Sequence, residues 1–179
     1  MGPSVTEGVG QGEVHTRSVL DSTPGQLGAL FEDRFASMVR LATLLTGSVH
    51  TAEEVVMDAF TRLAGRLDEI DEPAAYLRTS VVNGTRSHHR RQATVRRQPT
   101  PRPQVVHDPE VEVLWQRLDV LRPDERACVV LRYYLDLPLA EIATQLDLPL
   151  GTVKSHVHRA LAQLRELLSD GPDGEGVDR

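Results

Sequence analysis

The sequence predicts an all-α protein of two small helical domains joined by a flexible, proline-rich linker. Apolar residues recur at helical spacing along most of the chain, and no segment shows the alternation of a half-buried strand. A polar stretch with four prolines interrupts this pattern near the middle. At 179 residues the chain is long enough for two small domains. Its 40% hydrophobic and 26% charged residues are ordinary for a soluble globular protein.

Composition sets the predicted domain boundaries. Residues 1–25 are rich in Gly, Ser and Thr and lack a helical period, so we expect a disordered N-terminal extension. The first domain is predicted over 26–92 and the second over 111–168, with the linker at 93–110 between them. The acidic, Gly-rich residues 169–179 are expected to form a disordered tail.

Two helices are predicted in the first part of the first domain. The first covers about 27–46, carries an apolar stripe and is stopped by Gly47. Thr51 and Glu54 have the spacing of a capping box, in which the hydroxyl bonds an amide three residues on and the carboxylate reaches back. This spacing predicts that the second helix opens at Thr51 and runs to about residue 66.

The third predicted helix, from Pro73 to about Gln92, begins a strongly basic segment. No Asp or Glu occurs between residues 73 and 107, whereas this stretch contains seven arginines. Residues 26–72 contain nine acidic residues against four arginines, so the overall net charge of −6 hides a segregation of charge along the chain. The basic segment predicts contact with a polyanion such as nucleic acid.

The second domain ends in a predicted helix-turn-helix. Helices are predicted over 111–121 and 124–135, and the pentapeptide LDLPL then occurs twice, at 135–139 and 146–150. In each copy the Pro can begin a helix, because its fixed φ suits the first turn and its missing N–H would have no helical partner there. A short helix, a tight turn and a longer helix form the unit that places its second helix in the DNA major groove.

Three stretches, in this order, resemble the extracytoplasmic-function (ECF) group of bacterial RNA polymerase sigma factors, and the actinobacterial SigE-type members above all. AEEVVMDAFTRL, at 52–63, is similar to the helix with which the family binds core polymerase. AAYLRTSVVNGTRSHHRR, at 74–91, is similar to the helix that reads the −10 promoter element. LRPDERACVVLRYYLDLPLAEIATQLDLPLGTVKSHVHRALAQLREL, at 121–167, is similar to the region that reads the −35 element. The resemblance implies sigma region 2 in the first domain and sigma region 4 in the second.

The chain departs from the family pattern at several positions. Met57 and Ser87 stand where the family often has Gln and Asp. Asp147 takes the turn position that is usually Gly, and Asp tolerates a left-handed backbone better than most residues. Pro138 and Pro149 replace the Ser or Thr caps. We therefore expect a proline to begin both helices of the helix-turn-helix in the same way.

The second helix of the helix-turn-helix carries the candidate −35 contacts. With Val153 facing the core, a step of about 100° per residue turns the following polar residues outward or to the flanks. An Arg on this face can bridge O6 and N7 of guanine, while Lys suits phosphate. The predicted −35 contacts are Thr152, Lys154, Ser155, His156, His158 and Arg159.

The basic third helix carries the candidate −10 contacts. The resemblance implies that Asn83 holds the −10 element and that the arginines follow the strand backbone as the duplex opens. Tyr76 is an aromatic residue that could stack on a base or pack between helices. The predicted −10 contacts are Tyr76, Arg78, Asn83, Arg86, Arg90 and Arg91.

The second helix carries the candidate surface for core polymerase. Its polar residues lie opposite the buried stripe, with Val55 and Met57 at the margins. The resemblance implies that this surface docks on the clamp of the polymerase. The predicted contacts are Glu54, Val55, Asp58, Thr61 and Arg62.

The predicted function is that of a sigma factor that binds core RNA polymerase and directs initiation at promoter DNA. No catalytic cluster is recognisable, and neither a cofactor nor a metal is expected, because His156 and His158 point apart on a helix and the adjacent His88 and His89 also diverge. An anti-sigma protein is left open as a further partner. The chain lacks an apolar run long enough for a membrane span, so we expect a cytoplasmic protein.

Two alternatives remain open at this point. TVKSHVHRALAQL is also similar to the recognition helix of LuxR-like regulators, which would require an N-terminal sensory domain with strands. A nucleic-acid enzyme such as a small recombinase would require an acidic cluster, or a Ser or Tyr nucleophile with clustered arginines. The first 90 residues lack such strands, and the sequence shows no such acidic cluster or nucleophile.

Overall fold

Helices form the framework of the chain. The computed structural model describes residues 13–95 and 109–169, and these two ranges contain no β-strand. The helices in chain order are α1 (Glu13–Thr46), α2 (Val49–Ala64), α3 (Pro73–Val95), α4 (Pro109–Leu118), α5 (Pro123–Val129), α6 (Leu139–Leu146) and α7 (Leu150–Ser169). A 3₁₀ turn lies at Leu67–Glu69, and a π-helical turn at Val130–Tyr134 continues α5. The all-α prediction is confirmed over this part of the chain.

α1 begins earlier than the sequence predicts. It starts at Glu13 and not near Leu27, so residues 13–25, expected to be part of a disordered extension, are helical. Extending an existing helix costs far less than nucleating a new one, which is why weak helix formers can continue a helix that the core already holds. Residues 1–12 lie outside the described residues.

The start of α2 also differs from the prediction. The helix begins at Val49, and its N-cap is Ser48, whose Oγ accepts a hydrogen bond from the backbone nitrogen of Thr51 at 3.3 Å. The predicted N-cap at Thr51 is therefore wrong. Ser48 offers the same hydroxyl chemistry one turn earlier, so the helix gains a turn without losing its cap.

α1, α2 and α3 pack together as an N-terminal bundle. Each helix contributes fully buried aliphatic side chains, among them Leu41, Val56 and Leu77. Burying a side chain of this size contributes roughly 1.5–3 kcal/mol. Phe31 stacks on Phe35 with ring centroids 4.6 Å apart, at the edge of the same core.

The two LDLPL copies have the same local structure. Asp136 and Asp147 both adopt the left-handed backbone, with φ of 52° and 50°. Pro138 and Pro149 directly precede the first residues of α6 and α7. The left-handed turn at Asp147 and the two proline entries were predicted and are confirmed. The left-handed conformation of Asp136 was not predicted, although Asp136 occupies the same place in its LDLPL copy as Asp147 does in the other.

The C-terminal bundle, α4 to α7, lies against the N-terminal bundle. α1 contacts α4 and α5, and one continuous core includes buried residues of both bundles. At the junction the Trp115 ring covers Gly47, where φ is 75° and a Cβ would overlap the ring. The sequence predicted two domains joined by a flexible linker. Most of that linker, 96–108, lies outside the described residues.

Candidate nucleic-acid and protein interfaces

α7 presents the predicted −35 contacts on the side away from the core. Val153 and Ala160 are fully buried, so they fix which side of the helix faces inward. Lys154, Ser155 and His158 are exposed, as is Arg159, whereas Thr152 and His156 are partly buried at the flanks; the helical-wheel prediction therefore agrees with the observed burial. The Ser155 hydroxyl donates to the backbone oxygen of Gly151 at 2.9 Å.

Arg159 is held by two neighbours, one of them on another helix. Its Nε donates to Oε1 of Glu125 at 3.0 Å, and its Nη2 lies 2.8 Å from Nδ1 of His156. Glu125 belongs to α5 and is only 2% exposed, whereas the Arg159 side chain is 53% exposed. A buried acidic residue facing α7 could not be found from helical spacing alone, because that spacing does not say which helix covers which.

α3 divides the predicted −10 contacts into two groups. Asn83, Arg90 and Arg91 are exposed, and Arg90 also donates to the Ser87 hydroxyl at 3.1 Å. Tyr76 is partly buried and packs against the hydrophobic core. Its ring therefore takes part in helix packing, which is one of the two roles that the sequence predicts for it.

Arg78 and Arg86 form the second group, and both contact the C-terminal bundle. Nη2 of Arg78 donates to Oε1 of Glu141 at 2.7 Å. Nη1 of Arg86 donates to the backbone oxygen of Leu146 at 2.5 Å, and its Nε lies 3.8 Å from Oδ1 of Asp124. Their side chains are only 28% and 24% exposed. The structure thus turns two predicted DNA contacts toward the helix-turn-helix.

The junction between the bundles is built around the end of α1. The backbone oxygen of Leu45 lies 2.9 Å from Nε2 of His89 and accepts a hydrogen bond from Nη1 of Arg126 at 3.3 Å. Arg126 also donates to the backbone oxygens of Leu118, Asp119 and Leu121, and its guanidinium carbon lies 4.1 Å from the centroid of the Trp115 ring. This guanidinium therefore ties α4 and α5 to α1.

Burial perturbs the titration of both junction residues. Burial lowers the pKa of Arg126 to about 10, against the opposing effect of the Asp119 carboxylate. Burial also lowers the pKa of His89, more than its bond to the Leu45 carbonyl raises it. A cavity of about 390 Å³ lies beside these groups. It is lined by Leu45, Thr85, Arg86, His89, Arg90, Arg122, Pro123, Asp124, Ala127 and His156.

The outer face of α2 carries four of the five predicted polymerase contacts. Glu54, Asp58, Thr61 and Arg62 are exposed. Met57 is 46% exposed beside them, in a shallow open groove. The groove is lined by His50, Glu53, Glu54, Met57 and Asp58.

Val55 was predicted to lie at the margin of this face as a polymerase contact, and this placement is wrong. It is buried against α3, because α3 crosses α2 at Gly84, where a Cβ would come within 2.7 Å of a Val55 methyl carbon. The close crossing widens the buried side of α2 beyond the stripe that helical spacing marks. Gly84, an isolated glycine in the middle of a predicted helix, was the sequence feature that could have indicated this close crossing.

In the described ranges, no group of three or more His, Cys, Asp and Glu residues has the arrangement of a metal site. Among the same residues, no helix is long and apolar enough to cross a membrane. Cys128 is buried, and burial raises the pKa of its thiol to about 12.

Comparison with known proteins identifies the family. The family description "Sigma-70, region 4" matches residues 112–164. An RNA polymerase sigma-E factor of Streptomyces coelicolor is 33% identical over 154 residues, which cover 80% of this chain and 86% of the relative. The ECF RNA polymerase sigma factor SigL of Mycobacterium tuberculosis is 30% identical over 156 residues, covering 79% of this chain and 88% of the relative. The chain belongs to the ECF RNA polymerase sigma factors.

The fold of this sigma factor is also found among solved structures. The sigma factor RpoE of Bartonella quintana, solved in complex with the anti-sigma factor NepR, superposes with a TM-score of 0.63 and 21% sequence identity. The match covers 86% of this chain and 99% of that one. At this identity the likeness concerns the fold. The prediction that the chain is a sigma factor is confirmed by the sequence relatives, which favour it over the LuxR-like alternative.

Proposed function

We propose that this sigma factor binds core RNA polymerase through the outer face of α2, reads the −35 element with α7 and contacts the −10 element with α3. The exposed polar face of α7 carries the proposal, since it follows a tight turn at Asp147 and projects donors for base edges and phosphates from a rigid helix. The three predicted surfaces lie on three different helices, so one chain can engage polymerase and two promoter elements together.

The α2 face suits a protein partner. Glu54 and Asp58 give it negative charge, and the half-exposed Met57 gives it an apolar centre. An adaptable apolar side chain rimmed by charges is typical of a protein-binding surface. Arg62 and Thr61 extend the same face by one further turn of the helix.

Binding of the −10 element requires a change at the junction between the bundles. Arg78 and Arg86 cannot neutralise phosphates while they are engaged by Glu141 and by the end of α6. We therefore expect the bundles to separate when the factor occupies a promoter, which frees both guanidinium groups for the unpaired strand. Asn83, Arg90 and Arg91 are already exposed for the same strand.

The remaining attributes follow from membership of the family. The family consists of initiation factors without catalytic activity, and we propose the same for this chain. A factor that works on polymerase and promoter DNA acts in the cytoplasm of a bacterium, and we propose that location. An anti-sigma protein is proposed as a further partner that would act on the same two bundles.

The polymerase assignment can be tested with Asp58→Arg. This variant reverses a charge on the exposed face of α2 without touching the buried stripe, so it should fold normally yet lose stable co-elution with core RNA polymerase. Glu32→Arg, an equal charge change on an exposed position of α1, is the matched control and should still assemble. The measurement is size-exclusion co-elution together with mapped transcript starts. If Asp58→Arg assembles with core RNA polymerase as the wild type does, the assignment of this face is wrong.

A further inference from the structure

Glu125 is a buried carboxylate on α5 with one oxygen left unpartnered in the described part of the chain. It is 2% exposed on α5, with Oε1 bonded to Arg159 and 3.8 Å from Nδ1 of His156. Oε2 has no hydrogen-bond partner among the described residues. A buried carboxylate with half its acceptor capacity unused is costly, and apolar side chains of similar size often replace such groups without loss of stability. Its presence therefore calls for an explanation other than packing.

The partners of Glu125 lie on the helix that is proposed to read DNA. Arg159 uses its Nε for Glu125 and its Nη2 for His156, and Nη1 has no partner within the described part of the chain. An arginine carries no acceptor, so Nδ1 of His156 must accept this bond, and the ring proton of the neutral imidazole is then on Nε2. Each of these two side chains thus keeps a donor for an outside ligand.

The arrangement also changes the cost of binding. A free Arg side chain loses much rotamer entropy when a ligand fixes it. Here the loss occurs on folding, because a carboxylate anchored in the core already holds the guanidinium. Groups that are ordered before they meet their ligand bind it more tightly and with a narrower choice of geometry.

We propose that Glu125 is a positioning residue that orients Arg159 and His156 for contact with duplex DNA. The inference rests on the proposed function, in which α7 reads the −35 element. Glu125 itself touches no DNA, since it is buried beneath α7. It acts by fixing two side chains of the reading surface from the neighbouring helix.

Two substitutions separate positioning from packing. Glu125→Met keeps the length of the side chain and removes the acceptor, whereas Glu125→Gln keeps a neutral acceptor for Nε of Arg159. Deleting a negative charge near DNA should by itself strengthen binding, so a loss of affinity would have to come from the lost anchor. Glu166→Met, at an exposed position of α7, removes an equal charge and is the matched control.

The experiment measures affinity of the reconstituted holoenzyme for a duplex that the wild-type holoenzyme has enriched from a random-sequence pool. Glu125→Met should weaken binding to this duplex by about fivefold or more, with a smaller loss on a scrambled duplex. Glu125→Gln should recover part of the affinity. In an Arg159→Ala background, Glu125→Met should have an effect of less than about twofold, because the group it positions is gone. Urea unfolding should show no loss of stability.

Several results would overturn the proposal. Wild-type affinity in Glu125→Met would do so, as would an equal loss with and without Arg159, since Glu125 would then act through the fold. If Glu125→Met is destabilised, the same comparison is read on Glu125→Gln with the same two outcomes. A wild-type holoenzyme that enriches no duplex would instead overturn the proposed function together with the positioning role, which distinguishes the two failures.

Discussion

The Leu45 carbonyl shows how single residues hold the junction together. It lies in the last turn of α1, where backbone oxygens have no partner within the helix. Nη1 of Arg126 donates to it from α5, and Nε2 of His89 reaches it from α3. Two donors from different helices thus cap one helix end, at the negative pole of its dipole.

His89 makes the stability of the protein depend on pH. Burial lowers its pKa from the ordinary value of 6.5 in the folded state, so below that value the unfolded chain takes up more protons than the folded one. The free energy of unfolding should therefore fall as the pH drops from about 7.5 to about 5. Neighbouring His88 adds to the slope, since burial lowers its pKa as well.

His89→Gln tests this contribution. The Gln amide can still donate to the Leu45 carbonyl but does not titrate, so the variant should lose less stability on acidification than the wild type. Urea unfolding at several pH values gives the comparison. Parallel curves for the two proteins would show that His89 is not responsible for the slope.

At the scale of elements, the repeated LDLPL works as a helix-ending and helix-starting unit. Its Asp ends one helix in the left-handed conformation, and its Pro precedes the next. After Asp147, the backbone nitrogen of Leu148 donates to the oxygen of Ala143 at 3.0 Å, which closes the end of α6. The turn geometry that aims α7 therefore depends on backbone conformation at one residue.

Substitutions at the two Asp residues test the unit. Asp147→Gly should keep or slightly raise the free energy of unfolding, because Gly adopts positive φ without steric cost. Asp147→Val should lower it by about 1–2 kcal/mol, because a β-branched side chain is disfavoured there. The same two substitutions at Asp136 should have the same effects, since the Asp136 side chain is 95% exposed and its only described ion pair, with Arg132 at 3.5 Å, is weak. Chemical denaturation measures all four. Equal stability of the Val and Gly variants would contradict this account.

At the scale of the whole molecule, the contacts between the bundles compete with the proposed DNA contacts. Glu141 of α6 and the end of the same helix engage Arg78 and Arg86 of α3. The arrangement leaves these two basic side chains only about a quarter exposed, in a protein that carries a net charge of −6. The free factor should consequently bind DNA more weakly than its arginine content suggests.

Glu141→Lys should release this restraint. The new cation repels Arg78, so the free protein should bind a single-stranded oligonucleotide several-fold more tightly and show a larger radius of gyration by small-angle scattering. Glu32→Lys makes the same charge change at an exposed position of α1 and is the control. An equal gain in both variants would mean that added charge, and not release of Arg78, accounts for the binding.

The sequence by itself determined the helical class, the helix-turn-helix and most of the exposed faces. These depend on the spacing of apolar residues and on local turn chemistry at positions such as Asp147. Both are properties of residues that are close together in the sequence. The cap at Ser48 was missed, because helix ends are decided by small differences between adjacent candidates. The start of α1 was missed, because weak helix formers can continue a helix that the core already holds. Only the tertiary structure decided that Val55 is buried by α3, that Arg78 and Arg86 face the C-terminal bundle, and that Glu125 holds Arg159. Those contacts join residues far apart in the chain, and the spacing of side chains along one helix carries no information about which helix packs against it.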